Sequence, residues 1–226
     1  PDESYGVGTK VFLVHALPDN ILFQQIDVSN GTLIKNGNIP NEYKGQLYVS
    51  VAHNDRDVAV AYTNHIYIYS LTEENKSITP VILPFVVIPH PHAAISKIYL
   101  DNYFLVVGDV YGSVMVFTSS GTFLMRVAGE DEAKQTDKKG VYKHRVTAIT
   151  RFNLFIVVGC ADGRVRFFTW DFRHSVLEKK ECNGPVLRVF PHPDVNRVVI
   201  LTENGSEKHI VGLTYWAPME KSVDFI

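Results

Sequence analysis

Few residues in this chain have the type and spacing to run a reaction. Residues 155–171, FIVVGCADGRVRFFTWD, set Gly159 and Gly163 around Cys160 and Asp162. A phosphate-cradling loop needs such glycines where a helix begins, because the helix N-terminus supplies the donors and the positive field. Here Val165, Arg166, Phe167, Phe168 and Thr169 follow, so Asp162-Gly163 reads as a tight turn between two strands. His90 and His92 in PHPHAAI lie close together, yet a metal needs several converging ligands and no Cys, Asp or Glu neighbours them. The prolines around them fit a rigid linker, and neither a metal nor another cofactor is expected. No serine-centred nucleophile elbow, zinc-ligand spacing or dinucleotide loop occurs.

Charge carries more information than these motifs. The chain has a formal net charge of −2, but residues 134–188 hold twelve Lys or Arg against five acids. The excess can draw an acidic protein segment or a phosphate backbone, or it can simply be a solvated face balanced by the acidic remainder. The polar run GEDEAKQTDKKGVYKHR at 129–145 is longer than an ordinary connection and ends in cations. Lys138, Lys139, Lys143 and Arg145 are therefore the first candidate partner-binding residues, with Arg164 and Arg166 as a second basic group. An inert insertion is the competing reading of the same run.

The elements that must position these residues repeat. ISKIYLDNYFLVVGDVYGSVMVFT at 95–118 aligns without a gap on VTAITRFNLFIVVGCADGRVRFFT at 146–169, a register of 51 residues. Looser copies flank the pair, with turn markers at Asn20, Asn64, Gly112, Gly163 and Gly205 spaced 44, 48, 51 and 42 residues apart. That spacing suits a four-stranded unit. FLVVG, FIVVG, VAVAY and RVVIL are apolar on both alternating faces, as strands sandwiched between neighbouring sheets are. The last strand of each set (TLIKNGNI, SITPVILP, TFLMRVAG, SVLEKKEC, KSVDFI) is less apolar, as an outer strand guarded against edge pairing would be.

On these residues the chain resembles the WD-repeat β-propeller family. His144 and His92 fall near the family's histidine, Asp162-Gly163 on its turn, and Phe168-Thr169 where its Trp-Asp dipeptide stands; Trp170-Asp171 comes two residues later. In the family, a histidine, a small hydroxyl residue, the turn Asp and the strand Trp can form a buried hydrogen-bond network, which Phe168 leaves partial here. The resemblance implies an all-β fold of four-stranded antiparallel blades. The sets run approximately over 10–40, 45–85, 93–128, 144–183 and 185–226, all in a single domain, with the first lacking an innermost strand. About five blades fit the length, where such rings commonly have seven. The chain starts at Pro1, so it is expected to be part of a larger ring closed by upstream sequence or a second chain, because an open arc would expose apolar faces.

The resemblance and the composition together imply a non-catalytic protein–protein interaction scaffold within a multiprotein complex. A nucleic-acid-associated, RNA-binding propeller using residues 134–188 is the alternative. Of the expected inner strands only ISKIYLDN ends on a carboxylate, Asp101, and one carboxylate makes no acid–base pair. With 46% hydrophobic and 20% charged residues the composition is that of an ordered globular domain. The longest apolar run, VILPFVVIP at 81–89, is proline-broken and too short to span a membrane. Cys160 and Cys182 lack metal spacing and read as buried free thiols. The sequons NGT, NKS and NGS could point to secretion, but two of them are Asn-Gly turns that the fold explains, so cytoplasm or nucleus is expected.

Overall fold

The computed structural model describes residues 2–4, 10–17, 19–40, 48–54, 57–74, 77–82, 86–87, 94–128, 144–152, 155–169, 175–180, 183–191, 197–204 and 207–214. All secondary structure among them is β-strand. The chain divides into two compact units, 1–133 and 134–226.

The first unit holds three antiparallel sheets, each built by strands in simple succession. The first comprises β1 (Asp2–Ser4), β2 (Lys10–Ala16), β3 (Asn20–Asp27) and β4 (Thr32–Pro40). Asp2–Ser4 pairs with Phe12–Val14, so this set has a short first strand that the sequence reading omitted. Three residues carry too little pattern to be recognised as a strand; only pairing with β2 reveals them. The second sheet comprises β5 (Ser50–His53), β6 (Asp57–Ala61), β7 (His65–Glu74) and β8 (Ser77–Ile82), with β9 (Val86–Val87) also paired to β7. The apolar run at 81–89 thus covers the end of β8 and all of β9, and no described helix is long and apolar enough to cross a membrane. The third comprises β10 (Ile95–Leu100), β11 (Phe104–Asp109), β12 (Val114–Thr118) and β13 (Phe123–Ala128).

These sheets stack face to face, first strand beside first strand. β1 lies against β5, β5 against β10, and β4 against β8. Alternation along β6 divides its side chains between two cores. Val58 and Val60 join Ile21, Tyr62, Tyr67 and Tyr69 on the side of the first sheet. Ala59 and Ala61 turn the other way, where their small size admits Ile95, Ile98, Leu105, Met115 and Phe117 of the third sheet. From Val58 to Ala61 both faces of β6 are fully buried, as its apolar alternation predicts.

The second unit repeats the plan with β14 (Val146–Phe152), β15 (Phe155–Cys160), β16 (Arg164–Thr169) and β17 (Ser175–Lys180) in one sheet, and β18 (Val186–Pro191), β19 (Arg197–Asn204) and β20 (Glu207–Thr214) in the next. The expected last strand, KSVDFI, lies outside the described residues. Val157, Val165 and Phe167 pack against Val186, Val189, Val198 and Ile200. Burying each such side chain contributes about 1.5–3 kcal/mol. At Gly159 the approach is close: a Cβ there would stand 2.4 Å from Val186 Cγ1 and 2.8 Å from Val186 Cβ.

The repeat also holds at finer resolution than the sequence suggested. The first two strands of three sheets shift register at corresponding points, between Ile95/Lys97, Val146/Ala148 and Val186/Arg188. At the first two bulges a hydroxyl donates to the carbonyl of the matching glycine, Ser96 Oγ to Gly108 O and Thr147 Oγ1 to Gly159 O, each at 3.2 Å. The hairpins that follow also match. Gly112 N–H donates to Asp109 O and Gly163 N–H to Cys160 O, and both glycines take the left-handed conformation, φ 91° and 85°, that a side chain would strain. The loop at Asn64 is shorter, with Tyr62 N–H donating directly to His65 O at 2.9 Å.

Candidate functional site

The residues nominated from sequence meet the structure unequally. Lys138, Lys139 and Lys143 lie outside the described residues, as do His90, His92 and Cys182. Arg145 is exposed, just before β14, and its carbonyl accepts the Ala161 N–H at 2.8 Å, which holds it beside the β15–β16 hairpin. Arg164 opens β16 from that hairpin, half-buried. Arg166 departs from the expectation of a second basic surface group, because it is buried at 7% exposure. In β16 the apolar partners Val165 and Phe167 face the β18–β20 sheet, and alternation puts Arg166 on the opposite face, where Ile156, Val158 and Phe168 are buried as well. The sequence signal of a basic strand therefore overstated the accessible charge.

In the β15–β16 turn stands Asp162. Its Oδ1 accepts the Arg164 N–H at 3.1 Å, closing an Asx-type turn that presets the hairpin. Its Oδ2 lies 3.0 Å from Arg164 Nε and 3.1 Å from His144 Nδ1. One carboxylate thus lies between His144, two residues before β14, and Arg164, the first residue of β16. His144 is buried at 5% exposure, so its imidazole is shielded from solvent, and its Nδ1 approaches Asp162 without the geometry of a hydrogen bond. Arg145 is exposed, Arg164, whose Nε meets Asp162, is half-buried, and the exposed Arg188 belongs to the same unit.

Two other carboxylates are spent on turns. Asp101 Oδ1 accepts the N–H groups of Tyr103 and Phe104 at 2.7 and 2.8 Å, and its carbonyl accepts Asn54 Nδ2 at 3.0 Å. Asn54 plays the same part in the preceding sheet, accepting Asp57 N–H at 2.7 Å. Asp109, 2% exposed, accepts the Tyr111 and Ser113 N–H groups at 2.8 Å each. Burial holds its carboxyl above the ordinary range, against those two hydrogen bonds and the charge of Arg126. Cys160, at the matching position of the next hairpin, is buried and forms no disulfide. Among the described residues no three His, Cys, Asp or Glu side chains gather as metal ligands would.

Sequence reasoning missed the Asn54–Asp101 link, the Asp109 cap and the close approach at Gly159. The Asp-x-x-Phe and Asn-x-x-Asp spacings at 101–104 and 54–57 were the available signal for the first, since Asx side chains cap such turns. Burial of Asp109 and the contact of Gly159 with another sheet have no local signature.

No family model matches the chain, and no curated protein matches it. Its fold is similar to that of solved structures of designed proteins. One is the computationally designed Ika4 protein, with a TM-score of 0.56 at 15% identity over 75% of this chain and 93% of that one. Another is the computationally designed Ika8 protein, with a TM-score of 0.59 at 13% identity over 92% of this chain and 69% of that one. At such identities the likeness concerns the fold alone.

Proposed function

We propose that the chain is a WD-like β-propeller, or five sheets of a larger ring completed by further sequence or a second chain. In this reading it is a non-catalytic platform for protein–protein contacts in a multiprotein complex of the cytoplasm or nucleus. The observation that carries the reading is the repeated unit itself. The hydroxyl-bearing bulge, the glycine-tipped hairpin and burial on facing sheets recur at corresponding positions of successive sheets. The His144–Asp162 contact stands where the family's own histidine and turn Asp stand, which supports the same reading. Rigid sheets of this kind hold short turns in fixed positions, and partner contacts on such turns need no bond-making chemistry.

The contact surface centres on Arg145 and Arg164 together with Lys138, Lys139 and Lys143, and its partner is an acidic protein segment. Affinity capture from cell extract tests this with Lys138→Glu, Lys139→Glu and Arg145→Glu combined. The wild-type chain retains a protein partner that the triple variant loses, and that binding weakens steeply with added salt. Salt-dependent binding of random-sequence RNA, abolished by the same reversals, would instead establish the nucleic-acid reading. A partner retained equally by both chains would remove these residues from the surface.

A further inference from the structure

The turn between β3 and β4 gathers, at one exposed point, the parts of an intramolecular acyl transfer. Asn30 and Gly31 are exposed in DVSNGT, and nothing lies within 4 Å of where a Cβ on Gly31 would stand. The electrophile is the Asn30 carboxamide. Its Oδ1 accepts the Thr32 N–H at 2.9 Å and the Thr32 hydroxyl at 2.5 Å. These donors hold the carboxamide folded toward the chain that follows it and polarise its carbonyl. The peptide nitrogen next in line is that of Gly31, with no side chain to obstruct it. Donors aimed at an oxygen on which charge develops lower the barrier to attack, and a preset geometry raises the effective concentration of the nucleophile.

We propose that Asn30 is a site of spontaneous modification, deamidating through Gly31 to aspartate and isoaspartate. Solvent base removes the Gly31 amide proton, and the nitrogen attacks Asn30 Cγ. The new N–Cγ bond forms, the Cγ–Nδ2 bond breaks, and ammonia leaves with a proton taken from solvent. Water then opens the cyclic imide at either carbonyl, so the net change is water for ammonia with no oxidation or reduction. Opening on one side leaves an ordinary aspartate; opening on the other inserts the Asn30 Cβ into the backbone of the turn. Either product adds a carboxylate near Asp27.

The same turn holds a brake. Gly31 N–H donates to Asp27 O at 2.7 Å, so the nucleophile is engaged until that bond opens. Asp27 is anchored in turn by Ser29, whose N–H and hydroxyl donate to Asp27 Oδ1 at 2.9 and 2.6 Å. Local opening of an exposed turn costs far less than global unfolding, so the rate is set by the turn rather than by the fold. Asn64 and Asn102 are exposed turn asparagines followed by His65 and Tyr103, whose side chains crowd the attacking nitrogen; they provide internal references.

The test is to hold the folded chain in mildly alkaline buffer and follow each asparagine by peptide mass spectrometry with isoaspartate detection. Asn30 is expected to lose its amide well before Asn64 and Asn102, yielding both aspartyl and isoaspartyl peptides. Thr32→Val, which keeps the N–H and removes the hydroxyl, slows the conversion severalfold. Ser29→Ala, which loosens Asp27, speeds it. Amide loss at Asn30 no faster than at the two references would overturn the proposal. So would an unchanged rate in Thr32→Val with the β-sheet circular dichroism intact.

Discussion

Asp109 and Cys160 occupy the same place in two copies of one hairpin, and they hold it by different means. Asp109 accepts two backbone N–H groups directly, whereas the Cys160 hairpin draws on Asp162 two residues later. Because burial raises the Asp109 carboxyl above its usual 3.8, the folded chain holds that proton more tightly than the unfolded chain does. The associated stability is fully present below the unfolded carboxyl pKa and is lost as pH rises through the folded one. Asp109→Asn keeps an acceptor without the buried charge. Urea unfolding at neutral pH should therefore find it at least as stable as wild type, with a flatter dependence on pH across the acidic range. Asp109→Ala leaves both N–H groups without that acceptor and should cost about 1–3 kcal/mol.

His65 runs the other way. Burial lowers it below 6.5 as it stacks on Tyr62 at 5.1 Å. Its contribution is complete above the unfolded histidine pKa and is lost as pH falls through the folded value. His65→Phe preserves a ring for the stack. Thermal melts of that variant should lose the portion of the pH dependence that lies below neutrality.

At the scale of elements, the contact between β15 and β18 governs how closely two sheets approach. Gly159→Ala drives a methyl into Val186, and since that valine is fully buried, chemical denaturation should register about 1–3 kcal/mol of destabilisation. Val186→Ala costs stability by itself through the cavity it leaves. The double variant should nevertheless be more stable than the sum of the single losses allows, a coupling that a double-mutant cycle measures. The last strands behave less uniformly than their sequences suggest. β8 carries Pro80 and β17 carries Glu178, Lys179 and Lys180, but β13 exposes Phe123, Leu124 and Met125 in succession at a sheet edge. Two register shifts kink β13 and blunt that edge only in part. Leu124→Lys should raise the concentration at which the protein stays unaggregated by light scattering, with stability changed by no more than about 0.5 kcal/mol.

Over the whole molecule, strands, turns and repeat period were legible because each depends on local pattern. Alternation marks a strand, an Asn or Gly marks its turn, and a 51-residue copy betrays a repeated unit. The candidate site was legible only in part. Arg145 is exposed and Arg164 half-buried beside the β15–β16 hairpin, and Asp162, legible as a turn residue, also meets Arg164 Nε and lies near His144 Nδ1, which no local pattern announces. Arg166 was misplaced because net charge along a window does not know which face of a strand is covered. The short β1 escaped because three residues carry no period, and its pairing with β2 exists only in the folded chain.

What the amino-acid order settled alone is the inventory: β-strands in repeated sets, glycines at hairpins that require left-handed backbone, and an uneven spread of charge. These follow from steric and hydrophobic preferences acting within a few residues. The tertiary structure decided which of those residues meet. Burial, ion pairing and the clearance at Gly159 arise between residues far apart in the chain, so they depend on how the sheets of each unit stack and not on any one stretch of sequence.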